Sequence, residues 1–340
     1  MAIRIGKRTI LLENKPSILG YASIVGKKEH EGPIGHEFDD FDEDSRFGEK
    51  TFEKAESRLQ SNTARLAIKK SGYNEKDIDC IFAGDLLNQC IGSSFGIRDL
   101  GVPFVGLYGA CSTMALGISM ASIMLDSGAA KRAIALTSSH FCSAERQYRF
   151  PLEYGSQRTP TAQWTVTGSG AVVLGEGKNL PYINAITVGE ITDYNITDAN
   201  NMGAAMAPSA ADTLKHYFKD TKTSPDDYDI IYTGDLGYVG TNLLYELLER
   251  DGINIRCKHN DCGMLIYNRE EQDVHAGGSG CGCSASVLCS FIMHRFESGD
   301  FSNILFMSTG ALMSPTSTMQ GESIPGISHL VNIKIDKKEK

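Results

Sequence analysis

One tryptophan, ten prolines and a shortage of cations characterise this chain more than any abundance does. Lys plus Arg number 33 against 42 Asp plus Glu, leaving a net charge of −9, so no basic excess points to nucleic acid as a partner. The first residues, MAIRIGKRTILLENK, lack an apolar core ending in a small-residue cleavage site. No secretory signal is read there, and the chain is expected to be made in the cytoplasm. Its nine cysteines (80, 90, 111, 142, 257, 262, 281, 283 and 289) are odd in number and several stand in apolar contexts. Buried reduced thiols fit that set better than a disulfide framework. Charge is also absent from the whole of residues 100–125, and about 20 apolar residues suffice to cross a bilayer. However, Pro103 and four glycines (101, 106, 109 and 117) interrupt the run. Proline disfavours one continuous helix, so residues 102–107 are read as a buried strand and the rest as a buried helix, with no transmembrane span.

What is present is enough for a large core. The 340 residues suggest two domains or one large one, and 41% apolar against 22% charged residues excludes a disordered chain. The 35 glycines exceed the average of about 7% and imply many tight turns.

The chain also resembles itself. Residues 77–86 read DIDCIFAGDL and residues 227–236 read DYDIIYTGDL, an offset of 150. Residues 109–139, GACSTMALGISMASIMLDSGAAKRAIALTSS, lie over residues 280–310, GCGCSASVLCSFIMHRFESGDFSNILFMSTG, an offset of 171. Both longer copies read as a small-residue turn, an uncharged helix, a Ser-Gly stop and an apolar strand. The offsets differ by 21 because the second copy carries extra residues between about 252 and 273. Two related α/β halves follow, 1–175 and 181–335, in which strand–helix–strand order favours parallel sheet covered by helices on both faces. The uncharged helices near 111–125 and 281–296 lack a polar face and belong at the centre of the molecule.

Cys111 falls at the first turn of one such helix. Backbone N–H groups and the helix dipole favour an anion there, which lowers a thiol's pKa and suits it to acyl transfer. The bland alternative is a small core residue. The motif GACSTMALG, the downstream AIALTSS, the two related halves and the glycine-rich turn before the second buried helix resemble the thiolase superfamily, which includes ketoacyl-ACP synthase III. The resemblance covers nearly the whole chain. It implies a thiolase-like fold, two tandem α/β halves in a layered α-β-α-β-α arrangement around buried central helices, and a homodimer.

It also implies Cys111 as the nucleophile position, with a histidine and an asparagine or second histidine as partners. Those partners are missing: the first position reads Thr233-Gly234-Asp235, and Cys281 stands at the second within GCGCSAS. Without them condensation lacks its base and its oxyanion hole, so retained fold and lost chemistry are expected, with no cofactor and Cys111 vestigial. Residues 140–175, HFCSAERQYRFPLEYGSQRTPTAQWTVTGSGAVVLG, and 45–60, SRFGEKTFEKAESRLQ, resemble a non-catalytic sporulation branch of the superfamily. That likeness implies binding of dipicolinic acid, alone or with calcium, and work beside membrane proteins of a spore transport complex at the inner membrane.

The contacts expected for such a ligand are Cys111, His140, Arg149, Asp235 and Cys281. A flat dianion calls for helix-start N–H groups, cationic donors and an apolar or aromatic wall. The 25-residue stretch 140–164 holds His140, Arg146, Arg149, Arg158, Tyr148, Tyr154 and Trp164 and is read as a functional or dimer-forming loop. The alternative is an active thioester condensing enzyme or acyltransferase using Cys111 with His140 or Asp235 as base. Zinc at Cys257, His259, Cys262, His275, Cys281 and Cys283 is set aside, because Cys-x-Cys at the start of a buried helix is a poor ligand pair. Calcium at Asp40, Asp42 and Asp44 is set aside because Ser45 and Thr51 replace the glycine and glutamate that an EF-hand needs.

Overall fold

A computed structural model describes residues 2–148 and 158–336. Ten principal strands form two sets of five. In the first are β1 (Ser17–Gly26), β2 (Cys80–Gly84), β3 (Phe104–Gly106), β4 (Arg132–Ser139) and β5 (Gly168–Gly175). In the second are β6 (Tyr182–Thr187), β7 (Ile230–Thr233), β8 (His259–Asp261), β9 (Asn303–Ala311) and β10 (Gly326–Lys334). The principal helices are α1 (Phe52–Lys70), α2 (Ile91–Ile97), α3 (Thr113–Asp126), α4 (Phe141–Tyr148), α5 (Met202–Thr221), α6 (Gly237–Glu249), α7 (Cys281–Val287, continued by Leu288–Ile292 and Met293–Glu297) and α8 (Pro315–Met319).

The strand order is β3-β2-β4-β5-β1 in the first set and β8-β7-β9-β10-β6 in the second, joined where Ser17 of β1 meets Tyr182 of β6. Each strand of one set thus occupies the place of the strand five later in the other. The sheets are mixed, which corrects the parallel expectation. In each half the first three strands are parallel, but β5 runs antiparallel to both β4 and β1, and β10 to both β9 and β6.

Alternation along the strands builds the layers. Ile81 and Ala83 of β2, with Ile134 and Leu136 of β4, face outward onto Ala64, Ala67 and Ile68 of α1. Their neighbours Cys80, Phe82, Ala133 and Ala135 face inward onto Met114, Ala115 and Ile118 of α3. Thr51 caps α1 by accepting from the Lys54 N–H, and Asn201 caps α5 by accepting from the Ala204 N–H.

The uncharged run 100–125 divides into β3 and α3, and among the described residues no helix is long and apolar enough to cross a membrane. Its partner α7 is not uncharged throughout: at its last turn His294 and Arg295 reach Glu37 at 2.6 and 3.4 Å. Only the earlier turns of α7 are fully enclosed, so the end reaching the surface can carry charge.

Each central helix is seated partly on the opposite half. The Ala115 N–H of α3 donates to Ser308 Oγ of β9 at 3.2 Å. Conversely, α7 lies so close to β5 that a Cβ on Gly170 would come within 2.3 Å of the Ala285 carbonyl. Glycine there is the condition for the two halves to meet.

Candidate functional site

The turn that carries Cys111 is tight. Ala110 adopts φ +49, a left-handed conformation uncommon for a residue with a Cβ. Side chains hold it: Ser112 Oγ donates to the Gly109 carbonyl at 2.6 Å and Thr113 Oγ1 to that of Ala110 at 2.6 Å. Beneath lies Gly310 of β9, where a Cβ would stand 2.6 Å from the Gly109 oxygen and 3.3 Å from the Cys111 nitrogen. The second half therefore supports the turn of the first.

Asp235 follows β7 and is buried against this turn. Its carboxylate accepts from Thr309 Oγ1 (2.8 Å), the Gly280 N–H (2.9 Å) and Ser279 Oγ (3.1 Å), and from the Cys111 thiol. Burial pushes this carboxyl up to about 7 even though those hydrogen bonds favour its charged form. Burial likewise raises the Cys111 thiol well above the ordinary range, and Asp235 and then Cys281 add to the effect. The helix start was expected to lower this thiol. Burial overrules it first, helped by the carboxylate that is its hydrogen-bond partner, and the Ser112 and Thr113 N–H groups already bond to Gly109 and Ala110.

Cys281 opens α7, and its thiol donates to the Ser138 carbonyl at 2.9 Å. It shares a small apolar cluster with Leu86, Ala144, Cys111 and Tyr148. Three of the five expected positions, Cys111, Asp235 and Cys281, are thus brought together from segments 46 to 170 residues apart.

His140 is not among them. It is buried, Nε2 lies 2.8 Å from the Ser45 carbonyl, and Nδ1 accepts from the Cys142 N–H at 3.1 Å, so both ring nitrogens are committed to backbone. Burial lowers its pKa, and it does not line the cavity described next. Arg149 and Tyr154 lie outside the described residues. Residues 141–148 form helix α4 rather than the start of a loop. Trp164 is stacked on Phe141 at 3.8 Å with Lys28 and Arg158 against its ring, away from Cys111.

A cavity of about 400 Å³ opens over Cys111, a size typical of small-molecule sites. Tyr108, Tyr148, Ala144, Met206 and Met313 are among its lining residues. Tyr148 donates to the Leu86 carbonyl and stands 2.9 Å from the Tyr108 hydroxyl. Gln163 is fixed by its amide nitrogen, which donates to the Asp235 and Gly278 carbonyls at 2.8 and 2.7 Å. Among the described residues no lysine, arginine or histidine lines the cavity, whereas Glu145 does. Tyr108 and Met206 escaped the sequence reading because each sits inside an apolar run, where only the turn of the chain decides which side faces a cavity. The tyrosines' hydroxyls were the available signal.

Comparison with known proteins accords with this architecture. Aquifex aeolicus 3-oxoacyl-[acyl-carrier-protein] synthase III is similar in structure with a TM-score of 0.59, covering 94% of this chain and 99% of that one at 12% identity. Cerulenin-bound OleA of Xanthomonas campestris gives a TM-score of 0.61 over 95% and 97% of the two chains at 14% identity. At such identities the likeness shows the fold alone, and the fold is thiolase-like. In sequence the chain is 44% identical to stage V sporulation protein AD of Bacillus subtilis over 324 residues, 95% of this chain and 96% of the relative. The stage V sporulation protein AD family itself matches residues 6–334. The chain therefore belongs to the stage V sporulation protein AD family.

Proposed function

We propose that this protein is a non-enzymatic binder of dipicolinic acid, acting in the uptake or release of dipicolinate by spores. The observation that carries the reading is the pairing of Cys111, which lines the cavity, with the buried Asp235. A thiol that donates a hydrogen bond to a buried carboxylate and keeps its proton, its pKa raised first by burial and then by that carboxylate, is a poor nucleophile at neutral pH. The cavity remains, sized for a compact aromatic acid and walled by tyrosine and methionine.

The form proposed to bind is the calcium chelate of dipicolinate, in which the charges cancel, since among the described lining residues no lysine, arginine or histidine meets a free dianion. A homodimer and partner membrane proteins at the spore inner membrane belong to the same proposal. Exposed Phe104 and Val105 of β3, with Tyr108 just after it and Phe95 of α2, support a second copy pairing along this edge. An exposed apolar edge strand of this kind invites pairing. Calorimetric titration of the purified protein with dipicolinate, with and without calcium, tests the binding. Saturation near one ligand per chain is expected, and no binding under either condition overturns it.

A second reading takes the same hydrogen bond in the opposite sense. A carboxyl at about 7 beside a thiol has the pKa of a general base near neutrality, which would make Cys111 an acyl acceptor with Asp235 in place of the missing histidine. Formation of an acyl-enzyme separates the two.

A further inference from the structure

The two halves close the turn after their second strand in different ways. In the first half Ala83 of β2 pairs with Gly106 of β3, and in the second Thr233 of β7 pairs with Asp261 of β8. Ala83 and Thr233 are counterparts at the offset of 150, so Asp261 stands in the place of Gly106, and His259 in that of Phe104. A buried polar pair thus occupies a position that the other half fills with alanine and glycine.

Asp261 grips the chain on both sides of Asp235. Its Oδ2 accepts from Thr233 Oγ1 (2.6 Å) and from the Leu236 N–H (2.9 Å), and its Oδ1 accepts from the Gly237 N–H (3.0 Å). Thr233 spends its hydroxyl proton on Asp261, so His259 Nε2, 2.9 Å away, donates to Thr233 Oγ1. His259 Nδ1 in turn accepts from the Tyr245 hydroxyl of α6 at 2.9 Å. In the first half Asp85, the counterpart of Asp235, serves its own turn instead. Its Oδ1 accepts from the Leu87 N–H at 2.9 Å, the counterpart of the Gly237 N–H, and its Oδ2 from the Ser93 N–H at 2.7 Å. With Asp261 taking the N–H groups of Leu236 and Gly237, the Asp235 carboxylate is left for Thr309, Gly280, Ser279 and the Cys111 thiol.

We propose that Asp261 is the positioning residue of the Cys111–Asp235 pair: by accepting the N–H groups that follow Asp235, it turns that carboxylate across to Cys111. The duplicated fold does not itself require an acid here, since the first half closes the same turn without one. Without Asp261 the buried Gly237 N–H would lack an acceptor and would draw Asp235 back, as Leu87 holds Asp85. Burial raises the Asp261 carboxyl to about 6, so above neutrality it is ionised and accepts from all three donors. Its titratable neighbours bring no positive charge: burial holds His259 neutral and keeps the Cys262 thiol protonated.

The pH profile of Cys111 alkylation by iodoacetamide, followed on the full chain by mass spectrometry of the Cys111 peptide between pH 7.5 and pH 10.5, reads the pair directly. Asp261→Asn replaces one acceptor oxygen with a donor. Its profile should move to lower pH, with a rate at pH 8.5 at least about threefold above the parent's. Asp235→Asn should show the same rise, and adding Asp261→Asn to it should bring no further change. A residue that only held the fold together would speed alkylation equally at every pH, with or without Asp235. If Asp261→Asn does not fold, Thr233→Ala, which restores the first-half residue, decides by a shift in the same direction. A profile that keeps the parent's position in the deciding variant, or a shift that persists in the Asp235→Asn background, would overturn the proposal. Both readings of the site contain the Cys111–Asp235 pair and the assay contains no dipicolinate, so its outcome is separate from that of the titration.

Discussion

A cysteine whose thiol is hydrogen-bonded to a carboxylate behaves unlike one paired with an imidazole. Histidine takes the proton and leaves a cation that stabilises the thiolate; Asp235, once ionised, repels it. Burial acts in the same direction, raising both Cys111 and Asp235. Incubation with acetyl-CoA or malonyl-CoA is therefore expected to leave no acyl mass on Cys111 by intact-protein mass spectrometry. An adduct together with turnover would favour the enzyme reading. Which residues meet was only partly legible in the sequence. Cys111, Asp235 and Cys281 could be placed because each sits at a recognisable turn of the repeat. His140 could not, because its two backbone hydrogen bonds, one to Ser45 from 95 residues away, are invisible to any local pattern.

Among the elements, the central helices and the strands that end at Gly-Asp-Leu were readable from periodicity and from the repeat itself. The antiparallel placement of β5 and β10 was not, because direction within a sheet depends on connections rather than on side-chain alternation. Helix α4 is not legible for a related reason: its polar positions Arg146, Ser143 and Gln147 are held by Glu53, Glu56 and the Leu86 carbonyl, partners on other elements. The close seating of α3 on β9 has a measurable consequence. Gly310→Ala should destabilise the fold by about 1–3 kcal/mol, because its Cβ would stand 2.6 Å from the rigid Gly109 carbonyl. Gly128→Ala, with φ +78 and open space around the Cβ, should cost only about 1 kcal/mol. Thermal unfolding of the two variants checks the order, and equal losses would speak against strain at the Cys111 turn.

For the whole molecule, duplication explains the location of the site. Each half places an acid after its second strand, Asp85 or Asp235, and each central helix crosses to the other half's strands. Acids are thereby carried into the interior, and stability must register them. Glu29 and Asp235 are raised by burial to about 7 and Glu56 to about 8, above their values in the unfolded chain. For such groups the native state binds more protons than the unfolded state, so their contribution is full at low pH and is lost as pH rises through the folded values. The melting temperature is therefore expected to fall between pH 6.5 and pH 8.5, and a flat or rising profile would show that these carboxyls are already ionised in the fold. The proposed binding of dipicolinate rests on the cavity between the halves. Titration of the purified protein with dipicolinate, with and without equimolar calcium, tests that dependence most directly. Saturable binding near one ligand per chain, tighter with calcium, is the result expected; absence of binding in both arms would contradict the account.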